Sequence, residues 1–261
     1  MRPIISLISD FGLREYFVGA MKGAILSINP DLDIIDISHQ VSSHDILEAA
    51  FTLRCAYSAF PPRTIHLVVV DPGVGSKRRP LIVTTENYYF VGPDNGVFSL
   101  IYESESVGRV ISITAEHYFR RPVSQTFHGR DVFGPVAAWL SRGIESSKFG
   151  EEIKDYVKLT PPKLKKTGDR VVQGMVLHID KFGNLITNIA ASELEKIGSP
   201  GKFTVGGKEV PRVVNNYAEG NPGEPFAVIG SAGFYEIGVQ KNSAAKLMQV
   251  QRGAEVLVHL A

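Results

Sequence analysis

The sequence predicts an α/β protein: an N-terminal α/β domain with a central sheet, followed by a smaller all-β domain. Three observations carry this. Apolar strand runs alternate with helix-period stripes through the first half of the chain. Beyond residue 170 the runs are short, β-type and separated by Gly, Asn and Pro. Between them, residues 157–170 are poor in apolar side chains and carry Pro161, Pro162, Lys163, Lys165 and Lys166, the composition of a connection crossing solvent. The domains are therefore set at 1–160 and 171–261, with a linker at about 161–170.

The first run, residues 4–8, stops at Ser9-Asp10-Phe11-Gly12. Phe17, Val18, Met21, Ala24, Ile25 and Ile28 then recur with helical spacing. Strand, loop and helix repeat with 33–37 as the next strand, Ser43 as the expected N-cap, and Ile46, Leu47, Ala50, Leu53 and Tyr57 as the stripe. Residues 65–70 are apolar at nearly every position, which is how a strand covered on both faces reads. Strands are predicted at 81–85, 88–91 and 110–113, and a helix from near Asp131 to Gly143. In the second half, strands are predicted at 171–180, 202–205, 210–214, 226–229, 235–239 and 254–258, with Gly206-Gly207 as a two-residue hairpin turn. They make a small barrel or sandwich.

Composition narrows the function. The chain has 261 residues, 28 Lys+Arg against 27 Asp+Glu, and is 44% hydrophobic. A net charge of +1 without like-charge runs argues against a surface built to neutralise nucleic-acid phosphates. Cys55 is the single cysteine, which excludes an intrachain disulfide. No apolar run approaches the ~18 residues that span a bilayer, and the opening run is too short for a secretory leader. The expectation is a soluble cytoplasmic protein.

Ligands of an open α/β sheet bind outside the carboxyl ends of its strands. Asp10 and Asp71 follow two such ends, although an Asp there also serves simply to accept turn N–H groups. Asp71-Pro72-Gly73-Val74-Gly75 is a tight loop with Arg78 and Arg79 close behind. It fails as a dinucleotide fingerprint, because the third glycine position falls on Arg78, and no phosphate-binding P-loop occurs. A second cluster, residues 125–133, sets His128 beside Phe127, with Arg130-Asp131 readable as a local ion pair and cap. A third, residues 178–188, gathers Asp180, Phe182, Asn184, Thr187 and Asn188 around a turn at Gly183, either a plain β-turn or a set of amide and carboxylate groups for a ligand. A Gly-rich segment, Gly230-Ser231-Ala232-Gly233, allows close backbone approach. His39 and His44, with Asp36 and Asp45 nearby, lack the spacing of a zinc set, and no Gly-x-Ser-x-Gly elbow is present.

Five motifs occur in the order found in the S-adenosyl-L-methionine (SAM) hydroxide adenosyltransferases, the SAM hydrolases related to the fluorinating and chlorinating adenosyltransferases. They are Ser9-Asp10-Phe11-Gly12, Asp71-Pro72-Gly73-Val74-Gly75 with Arg78-Arg79, Gly92-Pro93-Asp94-Asn95-Gly96, Thr126-Phe127-His128-Gly129-Arg130-Asp131-Val132-Phe133 and Asp180-Lys181-Phe182-Gly183-Asn184. The resemblance covers nearly the whole chain. It implies a C-terminal β-barrel-like domain, a homotrimer with sites between subunits, and conversion of SAM and water to adenosine and L-methionine without cofactor or metal. It further implies a catalytic trio of Asp71, Arg78 and His128. Asp10 falls on the position that takes the ribose hydroxyls. Asp180, Asn184 and Ser231 resemble the positions at the methionine end, and Tyr217 and Phe182 those around the nucleoside. The segment 230–233 is less polar here than the family pattern. The competing readings are a halide adenosyltransferase making 5′-halo-5′-deoxyadenosine and a SAM- or adenosine-binding protein without catalysis.

Overall fold

The computed structural model describes residues 2–160 and 162–261; Met1 and Pro161, the latter opening the predicted linker, lie outside the described residues. Contacts divide the chain into two compact units, Met1–Leu159 and Thr160–Ala261.

The first unit is a seven-stranded sheet between helices. Its strands are β1 (Ile4–Ser9), β2 (Asp33–Ser38), β3 (Ile65–Val69), β4 (Pro80–Thr85), β5 (Tyr89–Pro93), β6 (Val107–Ile113) and β7 (Gly150–Glu152), and its helices are α1 (Phe17–Ile28), α2 (Ile46–Ala56), α3 (Ser99–Ser104) and α4 (Gly134–Ser141). The order is β2-β1-β3-β5-β4-β6-β7. β1, β2, β3 and β5 run parallel, and β4, β6 and β7 pair antiparallel. One face buries Ile5, Leu7, Leu67 and Val69 under Met21 and Ile25 of α1 and Val136 and Leu140 of α4. The other buries Ile8, Val68, Val70 and Phe90 under Ala49 and Leu53 of α2 and Ile101 of α3. Coverage on both faces is why residues 65–70 are apolar at nearly every position.

Two local expectations are corrected. Asp45, not Ser43, caps α2, its carboxylate accepting the Glu48 N–H at 2.9 Å. The helix expected near Asp131 opens earlier as a π-helical turn over Gly129–Phe133 and continues into α4, with Gly143 at φ +86° closing it.

The second unit holds β8 (Lys165–Gly168), β9 (Val171–Ile179), β10 (Leu185–Ala190), β11 (Pro200–Val205), β12 (Lys208–Val210), β13 (Arg212–Val213), β14 (Pro225–Ile229), β15 (Phe234–Val239) and β16 (Glu255–Leu260), with short helices α5 (Ala191–Leu194) and α6 (Ala244–Met248). The order β12-β11-β16-β9-β10-β15-β14-β13 curls until β13 lies beside β11, giving a nearly closed barrel around Val176, Leu185, Phe203, Ile237 and Val256. Gly206 and Gly207, both at positive φ, make the hairpin turn between β11 and β12. The strand predicted at 210–214 is broken at Pro211, which has no N–H for a ladder. Residues 165–168, inside the predicted linker, form β8 on β9; an exposed lysine-bearing edge strand carries no apolar alternation to reveal it. β10 is the strand after the Gly183 turn, its inward set being Leu185, Thr187 and Ile189, with the Thr187 hydroxyl buried on the Tyr235 carbonyl at 2.7 Å.

His66 of β3 is fully buried among Tyr57, Phe60, Tyr88 and Phe90. Its Nδ1 meets Ser6 Oγ at 2.6 Å, while Nε2 has no partner. Burial pushes the ring down to about 3. The unfolded chain takes up this proton near pH 6.5 and the folded chain does not, so stability is complete above pH 6.5 and is lost as pH falls toward 3. In urea unfolding, the advantage of the native protein over His66→Asn, which keeps a partner for Ser6 but does not titrate, should shrink by roughly 3 kcal/mol between pH 7 and 4. A constant difference would contradict this.

Candidate functional site

From β1 the chain crosses to β2 on one side and then to β3 on the other, so the loops leaving β1 and β3 diverge and open a crevice at their carboxyl ends. Asp10 and Asp71 stand there. A cavity of about 270 Å³ runs between them, lined also by Phe11, Phe17, His44, Phe127 and His128. Phe127 meets Phe11 and Phe17 edge to face, with centroids 5.7 and 5.2 Å away, giving the cavity an aromatic wall. The Asp10 carboxylate accepts the backbone N–H of His44 at 2.9 Å; His44 is held at φ +68°.

The tight loop after β3 closes with Val74 N–H on the Asp71 carbonyl at 3.2 Å and Ser76 N–H on the Gly73 carbonyl at 3.0 Å. Gly75, at φ +77°, lies so close to the Gln125 carbonyl that a Cβ would come within 2.5 Å of it. The loop returns Arg78 onto Asp71. Arg78 Nε donates to both carboxylate oxygens, at 3.0 and 2.9 Å, and Nη2 donates to Oδ2. Nη2 also lies 2.7 Å from His128 Nδ1, and the guanidinium rests on the Phe133 ring at 5.1 Å. Asp71, Arg78 and His128 thus form one contiguous cluster. Since guanidinium only donates, Nδ1 is the acceptor and His128 is the neutral tautomer carrying its proton on Nε2. Burial, then the Arg78 charge, holds His128 below its ordinary value, against the pull of Asp71 and Asp131. Arg78 and His128 also line a second, larger cavity of about 860 Å³ with Ser76, Thr114 and Gln125. The cluster therefore borders two cavities.

Neighbouring charges have other partners. Arg79 turns away, donating to Asp94 Oδ2 at 2.9 and 2.7 Å and to Asp155 Oδ1 at 2.9 Å. The Asp94-Asn95 motif is a brace: Asp94 accepts Val157 N–H at 2.8 Å, and the Asn95 amide donates to the Val70 carbonyl at 2.9 Å, one residue before Asp71. Buried Asp131 accepts from Arg130 at 2.7 Å twice, from Arg120 at 3.2 Å and from Ser124 N–H at 2.9 Å. Although burial pulls the other way, these bonds hold its carboxyl below the usual range. The local ion pair read from Arg130-Asp131 is present.

In the second unit, Asp180 binds its own turn. Oδ1 accepts from Phe182 and Asn184 N–H at 2.9 and 2.8 Å, and the Asn184 amide donates to Oδ2 at 2.9 Å. Gly183 at φ +85° completes it, packed where a Cβ would strike Ser243. Phe182 projects from that turn, 76% exposed, and Ser231 is exposed between β14 and β15. The Tyr217 hydroxyl donates to buried Glu236 at 2.6 Å, and its ring crosses Phe226 edge to face. Burial, then the Asp180 charge, pushes the Glu236 carboxyl up against the opposing Tyr217 bond, and burial and Glu236 push the Tyr217 phenol up. Glu236, His44, Phe11 and Phe17 are features that motif reading left unassigned. The signal for Glu236 was an acid within an apolar strand beside Gly230, whose missing side chain makes room for it. Among the described residues no group of three His, Cys, Asp or Glu could hold a metal ion, and no helix is long and apolar enough to cross a membrane.

Residues 5–150 match the SAM hydroxide adenosyltransferase N-terminal domain and residues 174–257 the C-terminal domain. The chain is 39% identical over 259 residues to the (R)-S-adenosyl-L-methionine hydrolase of Methanocaldococcus jannaschii, covering 95% of this chain and 92% of that one. It is 33% identical over 263 residues to the enzyme of that name from Thermus thermophilus, covering 98% and 99%. A fluorinase from Actinoplanes matches at 24% over 278 residues, covering 93% and 92%. The crystal structure of an uncharacterized conserved protein from Thermotoga maritima superposes with a TM-score of 0.92 at 35% identity, covering 98% of this chain and 99% of the other.

Followed by NMR, the His128 ring should titrate below 6.5, and Arg78→Met should raise its pKa by removing the facing cation while Asp71 remains. An unmoved titration would show that Arg78 does not act on the ring.

Proposed function

The chain belongs to the SAM hydroxide adenosyltransferase family, and from that membership we propose that it hydrolyses SAM to adenosine and L-methionine by attack of water on C5′. It is a SAM hydrolase. Its likeness to hydrolases named for the (R) sulfonium epimer supports that epimer as substrate. The observation that carries the chemistry is the Arg78 bridge between Asp71 and His128, two residues that line the cavity that also contains Asp10.

Sulfur leaves C5′ as a neutral thioether, taking the bonding pair, so departure needs no acid. Water is the poor reactant, and positioning it in line opposite sulfur turns a bimolecular attack into an oriented one. Of the three side chains, only Asp71 offers an acceptor to the water proton: Arg78 has no lone pair, and His128 uses Nδ1 on Arg78. Arg78 and the His128 Nε2–H supply positive potential for the oxygen as it gains hydroxide character. The second cavity, on which Arg78 and His128 also open, supports solvent access when the substrate fills the first. Asp10, with one oxygen fixed by His44, suits a vicinal diol, and the aromatic wall suits the nucleoside. Asp180, Asn184 and Ser231 are proposed for the methionine end, and Phe182 and Tyr217 for packing around the nucleoside. The large exposed face of Phe182 supports completion of each site by a neighbouring copy in a homotrimer. The single cysteine suits a reducing cytoplasmic setting.

A halide adenosyltransferase is the second reading, supported by the fluorinase likeness. The Asp71 carboxylate opposes it, since its charge would repel an anion at the same position. Purified protein should release adenosine and methionine from SAM in ¹⁸O-labelled water with the label on the adenosine 5′ oxygen, and chloride should not divert product to 5′-chloroadenosine. Arg78→Ala should lower kcat on the order of 100- to 1000-fold. Unchanged SAM after hours, or label in methionine, would refute the proposal.

A further inference from the structure

We propose that His39 is a positioning residue for SAM binding, locking the loop that carries Asp10 through Ser9. The inference rests on the proposed role of Asp10 at the ribose hydroxyls.

Ser9, His39 and Asp36 stand in the order of a hydrolase triad. Ser9 is fully buried and His39 nearly so, however, and no substrate carbon can reach the hydroxyl. Ser9 and His39 instead form a buried hydrogen-bonded pair beside Asp36. The Asp36 carboxylate lies 3.1 Å from His39 Nε2, off the line of a regular hydrogen bond but close enough to favour the proton there. Lys22 of α1 holds the other Asp36 oxygen at 2.6 Å. In the tautomer with the proton on Nε2, Nδ1 accepts from the Ser9 hydroxyl at 2.7 Å. That fixes the hydroxyl rotor and turns the Ser9 lone pairs toward the Phe11 N–H, at 3.4 Å. The His39 backbone carbonyl accepts from Gly12 N–H at 2.7 Å. Asp10 is thus flanked by Ser9, tied to the imidazole, by Phe11, tied to the Ser9 hydroxyl, and by Gly12, tied to the His39 backbone. The fourth tether is His44 N–H on Asp10 itself, from the loop that follows His39.

A residue that only stabilised the unit would lower stability without changing substrate affinity selectively. A residue that aims Asp10 should raise KM for SAM far more than it changes kcat, since it lies at the end of the cavity away from Arg78. An Asn side chain can present its amide near the position of Nδ1, and a Gln side chain near that of Nε2. His39→Gln, which leaves the Ser9 hydroxyl without its acceptor, should raise KM on the order of tenfold. His39→Asn should recover most of that loss. Ser9→Ala, a smaller change that keeps the imidazole, should raise KM in the same direction. Asp10→Ala is the control for the reading beneath. If it leaves KM unchanged, the ribose assignment falls and this inference with it. If it raises KM while His39→Gln and Ser9→Ala do not, the assignment of Asp10 stands and the positioning role of His39 is wrong. Equal KM for His39→Gln and His39→Asn, with equal losses of Tm, would likewise reduce His39 to a structural residue.

Discussion

Two contacts of one guanidinium organise the cluster at the carboxyl ends of the first unit's strands. Arg78 Nη2 faces the Asp71 carboxylate on one side and His128 Nδ1 on the other. Its fixed positive charge makes the neutral imidazole the compatible partner and sets the direction of every hydrogen bond in the cluster. Asp71 leaves β3, Arg78 returns on the loop after it, and His128 precedes a π-helical turn on another element, so a single side chain joins segments 50 residues apart. Phe133, one turn beyond His128, lies beneath the guanidinium, its ring centroid 5.1 Å from Arg78 Cζ.

The rest of the first unit makes that contact possible. Adjacent parallel strands β1 and β3 put Asp10 and Asp71 beyond their carboxyl ends, and the two covered faces keep those strand ends rigid. Arg79, sequence neighbour of Arg78, is held by Asp94 and Asp155 in the opposite direction. Two consecutive arginines thereby perform separate work: one joins Asp71 to His128 and lines the larger cavity, and the other anchors the segment after β7. Positive-φ glycine in the β3 loop and the tether from Asn95 to Val70 hold the loop at the approach Arg78 requires.

Much of this was legible in the sequence because it depended on local patterns. Apolar continuity at 65–70 announced a doubly covered strand, and Gly206-Gly207 announced a hairpin. Spacing from Asp71 favoured Arg78 over Arg79 for the site; Arg78 contacts Asp71, and Arg79 contacts Asp94 and Asp155. What escaped was non-local or lacked an apolar signature. β8 is an exposed edge, the partner of buried Thr187 lies 48 residues away, and the α2 cap moved to Asp45 because backbone geometry selects among several adjacent polar residues. The aromatic wall of the cavity comes from residues 11, 17 and 127, whose proximity no sequence period encodes. The Asp180 turn can be read either as local structure or as a ligand site, because the same Asp-x-x-x-Asn spacing serves both; its carboxylate already holds three turn donors.

The most direct measurement of the central claim is a double-mutant cycle on kcat with Asp71→Asn and His128→Ala. If Arg78 couples the two into one device that activates water, the double variant should be scarcely slower than the slower single variant. Independent losses that multiply in the double variant would contradict the account.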